Sequence, residues 1–207
     1  MKKYAIYVLL FITVIVLIGC KKKSGEGDTD NLDTLPTAAP TKAVEITPTP
    51  VVENHDGEMK SYLSGQWVTK EIGTKRPWAI QFNNFKAVSN QSGISQADIL
   101  YECIVEGGIT RLLGIGENYT GDRFGSVRSS RHYFVSIADE YDAIYVHYGK
   151  TKYATSKMNE LGIDHMDGTT MGATVFYRDD SIKAPNNAFT SVEGIQAGIK
   201  KMGFETE

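Results

Sequence analysis

Cysteine is nearly missing from this chain. Two occur in 207 residues, Cys20 and Cys103, too few for a disulfide framework. The four histidines fall in no metal-ligand spacing, so no metal site is expected. Neither sign of charge dominates: 22 Lys and Arg stand against 25 Asp and Glu, a net charge of −3, which excludes a bulk nucleic-acid binder. There is no Walker-type phosphate loop, dinucleotide fingerprint, HExxH zinc motif or GxSxG elbow. These absences remove the enzyme classes with local signatures and indicate no cofactor. They leave open a hydrolase whose residues are scattered along the chain.

Long apolar runs are also scarce. The one that stands out, Tyr4 to Ile18, has the length of a signal-peptide core and is short for a spanning helix. It follows a basic Met1-Lys2-Lys3 and ends Leu17-Ile18-Gly19-Cys20, which matches the bacterial lipobox. The match implies that residues 1–20 are a lipoprotein signal peptide and that Cys20 carries a thioether-linked lipid, with palmitate among its acyl chains. The alternative is an uncleaved anchor. Either places the remainder at the cell membrane, on the extracytoplasmic face, in the cell envelope. Residues 21–58 hold four of the six prolines, at positions 36, 40, 48 and 50, with few large apolar residues. Such a segment buries too little apolar surface to offset its ordering entropy and reads as a disordered tether. The composition changes near Met59, and residues 59–207 read as one folded domain.

Within that domain, Trp78 to Asn83 alternates as a strand. Asn83 and Asn84 at its end either build a turn or present amides to a ligand. Ile99 to Gly116 reads as a long β-hairpin with Gly107-Gly108 as a two-residue turn. That loop length sets Arg111 opposite Ile104 and diagonal to Glu102 and Glu106. The group is then either a cross-strand ion-pair ladder or a site floor in which Arg111 keeps both carboxylates ionised. Cys103 falls on the apolar face as a small hydrophobe.

Residues Gly121 to Tyr133 bring Arg123, Arg128 and Arg131 to the predicted first turn of a helix, with Ser126 or Ser129 as its cap. Cations oppose the helix dipole there, so an anion is expected among them. The anion is either a ligand or the chain's own Asp122, Glu102 or Glu106. Ala143 to Tyr148 reads as a strand carrying His147 to its carboxyl end, followed by a helix from Thr151 to Leu161. His147 is a candidate general acid or base, or a structural histidine. Asp164 to Gly172 reads as a loop, Thr174 to Tyr177 as a strand, and Thr190 to Glu193 as a capping box opening a helix that ends at Gly203. The expected fold is mixed α/β (α+β): a sheet with the long hairpin and helices packed on it.

Several stretches, in order, resemble the YerB-like bacterial lipoprotein family. They are Arg76-Pro77 with Asn83-Asn84; Gln91-Ser92-Gly93 with Ser95-Gln96-Ala97-Asp98; Glu106 through Arg111; Gly125 through Arg131; and Tyr141-Asp142-Ala143. The resemblance runs from Arg76 to the C-terminus and implies a mixed α/β fold and a surface lipoprotein, with no established reaction. It also implies a histidine where this chain has Asn186 in Pro185-Asn186-Asn187, and a second C-terminal portion beyond Glu207, so that the domain is expected to be truncated.

Three functions are then expected to compete. In the first, Arg111, Arg128 and Arg131, with Asn83 and Asn84, bind an anionic cell-wall polymer or peptide. In the second, an envelope hydrolase uses Glu102, Glu106 and His147. In the third, the domain is a protein-interaction or assembly factor with no small-molecule site.

Overall fold

The computed structural model describes residues 54–86 and 91–207. The lipobox with Cys20, and the tether up to residue 53, lie outside the described residues. The chain enters through a two-stranded antiparallel ribbon, β1 (Glu58–Lys60) and β2 (Trp67–Thr69), and a short helix α1 (Lys70–Gly73). The next strands are β3 (Trp78–Asn83), β4 (Ile99–Ile104), β5 (Thr110–Gly116) and β6 (Phe124–Gly125). Helix α2 (His132–Glu140), strand β7 (Ile144–His147), helix α3 (Lys152–Leu161), strand β8 (His165–Asp167) and short helix α4 (Gly168–Met171) follow. The chain closes with β9 (Phe176–Arg178), β10 (Ala188–Thr190) and helix α5 (Val192–Met202).

The main sheet has the order β4-β5-β3-β7-β8. Its hairpin half is antiparallel, whereas β3, β7 and β8 run parallel, β7 and β8 joined through α3. Helices α2 and α3 pack together over one face, on Ala79, Leu113, Ile115 and Tyr145. The other face buries Ile80, Phe82, Leu112, Ile144, Val146 and Met166 under Ile195 and Ile199 of α5 and Phe124 and Phe176 of the small sheet β6-β10-β9. With both faces covered, β3 and β7 are buried almost throughout, and β7 accordingly reads as a short apolar run. Helix α5 seats closely because Gly194 has no side chain: a Cβ there would lie 2.5 Å from the Val175 carbonyl oxygen.

Four local expectations are corrected. The hairpin closes with three residues, Glu106-Gly107-Gly108, both glycines taking positive φ, and Val105 N–H donating to the Ile109 carbonyl. Arg111 therefore pairs with Cys103, not Ile104. One residue of slip moves a side chain to the opposite face of a sheet. Residues 126–130 are not the first turn of a helix. They run extended, and α2 begins only at His132, with Arg131 in the cap position and neither Ser126 nor Ser129 capping it. Residues 164–172 are not a loop but contain β8 and α4; a strand with one apolar residue, Met166, gives too short a signal to read. Finally, Ser191, not Thr190, caps α5 and accepts from Gly194 N–H, while the Thr190 hydroxyl donates to the Val175 carbonyl.

Candidate functional site

Strands β3 and β7 pair only from Trp78–Ile144 to Ile80–Val146. Beyond that point they part, and the extended run 126–130 is wedged between them. Arg128 N–H donates to the Gln81 carbonyl, Tyr148 N–H donates to the Arg128 carbonyl, and Asn83 N–H donates to the Ser126 carbonyl. The crevice at the carboxyl ends of diverging parallel strands is where open α/β sheets take their ligands. The wedge brings Arg128 and Arg131 to this place, and the register of β5 delivers Arg111 beside Asn83.

Arg111 is 5% exposed. Its Nη1 donates to the Ser129 carbonyl, and its Nε has no partner. Burial, and then the charges of Arg131 and Arg128, push its pKa down to about 10. Arg128 is also lowered, by burial and by Arg131; its Nη1 donates to the Pro185 carbonyl at 2.8 Å, and its Nε is buried without a partner. Arg131 grips Glu106 with Nε and Nη2, and this pairing holds the Glu106 carboxyl down to about 2. Among the described residues, Glu106 is the sole carboxylate hydrogen-bonded to any of the three guanidinium groups. Three cations with one internal anion leave a local excess of positive charge.

The remaining candidates divide. Asn83, 2% exposed, donates to Ser126 Oγ at 3.3 Å and to Asn186 Oδ1 at 3.2 Å. The position where the family resemblance implies a histidine thus belongs to the arginine crevice. Asn84 instead donates to Glu102 Oε1 and Thr110 Oγ1. Glu102 pairs across the strand with Leu112, on the face away from Arg111. The expected Glu102–Arg111–Glu106 group forms neither as an ion-pair ladder nor as a site floor, because the three-residue turn sends Arg111 to the helix-covered face. Arg123 leaves the group to bind Asp179 at 2.8 Å and to stack on Phe189.

His147 is fully buried in a second polar cluster. The Gly149 carbonyl can only accept, so His147 Nδ1 carries a proton and donates to it at 2.9 Å. Nε2 then accepts from His165 Nδ1 at 3.1 Å. Asp167, 1% exposed, accepts from the N–H groups of Gly149 and Thr169 and from Lys150 Nζ. Burial alone would raise the Asp167 carboxyl; the Lys150 ammonium and the two N–H groups outweigh it and hold the carboxyl well below the usual range. Sequence reading singled out His147 in this cluster and missed Asp167. Asp167 carries no local signal, since only the pairing of β7 with β8 sets it opposite His147.

Burial brings the His147 pKa down to about 4, against the attraction of Asp167, and lowers His165 as well. The unfolded chain, with ordinary histidines, therefore takes up protons first as the pH falls. The histidine contribution to stability should drop from about pH 6.5 to about pH 4 and level off below, because the folded state then protonates too. The Asp167 carboxyl, also lowered, has the same sign, and its contribution is lost at lower pH, as the pH falls through the carboxylate range. Urea midpoints across this range should slope in the wild type and be flatter in His147→Gln. Equal slopes in the two proteins would remove the assignment.

No helix among the described residues is long and apolar enough to cross a membrane. Residues 63–205 match the family described as protein of unknown function (DUF3048), N-terminal domain, and the chain belongs to that family. It is 29% identical over 205 residues to the protein named "Putative lipoprotein YerB" of Bacillus subtilis (strain 168), covering 99% of this chain and 54% of that protein. It also resembles the crystal structure of the YerB protein from Bacillus subtilis, with a TM-score of 0.69 and 33% identity over 72% of this chain and 52% of the other. The chain thus spans about half the length of the relatives it matches. The mixed α+β fold agrees with that structure.

Proposed function

We propose that this chain is a lipid-anchored extracytoplasmic binding module, tethered through Cys20, whose arginine cluster at the carboxyl end of β3 holds an anionic envelope ligand. The lipobox and the lipoprotein name of the relative support the anchor. Palmitate labelling that persists in Cys20→Ala would remove it. The observation that carries the binding reading is Arg111: a guanidinium 5% exposed, with a free Nε, facing two further arginines and contacting no carboxylate. A buried cation without an ionic partner costs stability, and a carboxylate or phosphate entering the crevice would supply the missing charge.

The test is titration of the exported chain with a wall polymer carrying phosphate groups. Arg128→Ala and Arg131→Ala should each weaken binding about tenfold, the value of one charge-assisted hydrogen bond. Unchanged affinity in both variants would sink the reading.

The hydrolase reading is not carried further. His147 has both ring nitrogens engaged in a sealed interior, and Glu102 faces away from the arginines. A protein-interaction role has one observation in its favour: Leu100 and Ile104 are 47% and 72% exposed on the edge strand β4. Retained partner capture in Leu100→Asp and Ile104→Asp would discard it.

A further inference from the structure

A cavity of about 340 Å³ lies at the far end of β3 from the arginines, bordered by Trp78, Glu117, Tyr119, Gln196, Ile199 and Lys200. Its size is within the range of small-molecule sites. One wall is aromatic: the rings of Trp78 and Tyr119 are 6° from parallel with centroids 6.3 Å apart. Ile199 of α5 adds to the apolar lining. Glu117, 9% exposed, borders the same cavity, and its Oε1 has no hydrogen-bond partner. Buried polar atoms are almost always satisfied, so an orphaned carboxylate oxygen at a cavity calls for a donor from outside the chain. Asn118, Gln196 and Thr206 on the border can each donate and accept.

We infer that this cavity binds a pyranose ring of a saccharide, the sugar's apolar face against Trp78 and its hydroxyls on Glu117, Asn118 and Gln196. Sugar hydroxyls donate and accept at once, which suits a carboxylate flanked by amides. A sugar ring also has an apolar C–H face for the indole. An amino-acid zwitterion fits less well. Its carboxylate would depend on exposed lysines, of which Lys75 is already on Glu71, and exposed pairs of this kind contribute little. Arg76, also on the border, is occupied by Asp142 and Asp164.

The chain has two tryptophans, and Trp67 stacks on His55 and does not border the cavity. In a Trp67→Phe background, Trp78 is thus the sole indole reporter. Its emission is followed during titration with N-acetylglucosamine, its trisaccharide and maltotriose, with alanine as the zwitterion. A saturable change is expected with at least one saccharide. Glu117→Gln and the exposed Gln196→Ala should each weaken it about tenfold, the loss of about one hydrogen bond. Gln196→Ala keeps the test decisive if Glu117→Gln folds poorly. Arg128→Ala should leave the saccharide response unchanged, so this site and the arginine crevice fail or stand separately. No saturable response to any saccharide, a response to alanine alone, full affinity in both cavity variants, or loss in Arg128→Ala would each overturn the inference.

Discussion

Replacing Asp167 by alanine is expected to destabilise the domain by about 3–5 kcal/mol, the cost of removing one partner from a buried charge pair. The side chain is 1% exposed and satisfies three donors at once: Gly149 N–H, Thr169 N–H and Lys150 Nζ. Alanine strands all three, and the Lys150 ammonium, whose side chain is 24% exposed, loses its counter-charge. Asp167→Asn should cost less, because the amide oxygen can still accept from the backbone. Urea unfolding of both variants measures the difference. An Asp167→Ala protein within 1 kcal/mol of wild type, roughly a surface-residue effect, would mean that the cluster does not hold β7 to β8.

The second large effect has the opposite sign. Arg111→Met should raise stability by about 1–4 kcal/mol, as found when buried charges give way to well-packed apolar groups, while anion binding is lost. Arg111 sits among Leu113 and Cys103 on the helix-covered face, repelled by two arginines and burdened with an unpartnered Nε. Methionine fills similar space without charge. Its removal orphans no acceptor, since the Ser129 carbonyl still receives Arg131 Nη1 at 3.2 Å. A gain in stability coupled to a loss of binding is the mark of a group retained for function at a cost to the fold. Thermal unfolding with and without the anionic polymer separates the cases. The polymer should raise the melting temperature of the wild type and not that of the variant. A variant that melts well below wild type would make Arg111 a structural strut.

Much of the architecture was legible along the chain. The strands at Trp78–Asn83 and Ile144–His147, the hairpin, and the helices closed by Gly162 and Gly203 follow local rules of period, capping and turn chemistry. Strand β8 was not legible, because three residues with a single buried apolar side chain become a strand only by bonding to β7. The wedge 126–130 was misread for a related reason. Its serines and arginines suit a helix start, yet the parting of β3 and β7 offers carbonyls and N–H groups that only an extended chain can reach.

The amino-acid sequence alone determined the lipobox pattern that ends at Cys20, the proline-rich composition of residues 21–58, the mixed composition of the domain and the three arginines as the charge of interest. Each is a property of neighbours along the chain. Which of those arginines is buried, which carboxylate any of them meets, and whether His147 is reachable were decided by the folded structure. One extra residue in the turn after Val105 reverses the face that Arg111 presents, and the pairing of β7 with β8 sets Asp167 opposite a His147 that is shut away from solvent. Register and strand neighbours are contacts between distant residues, set by the burial of whole faces, and no local pattern encodes them.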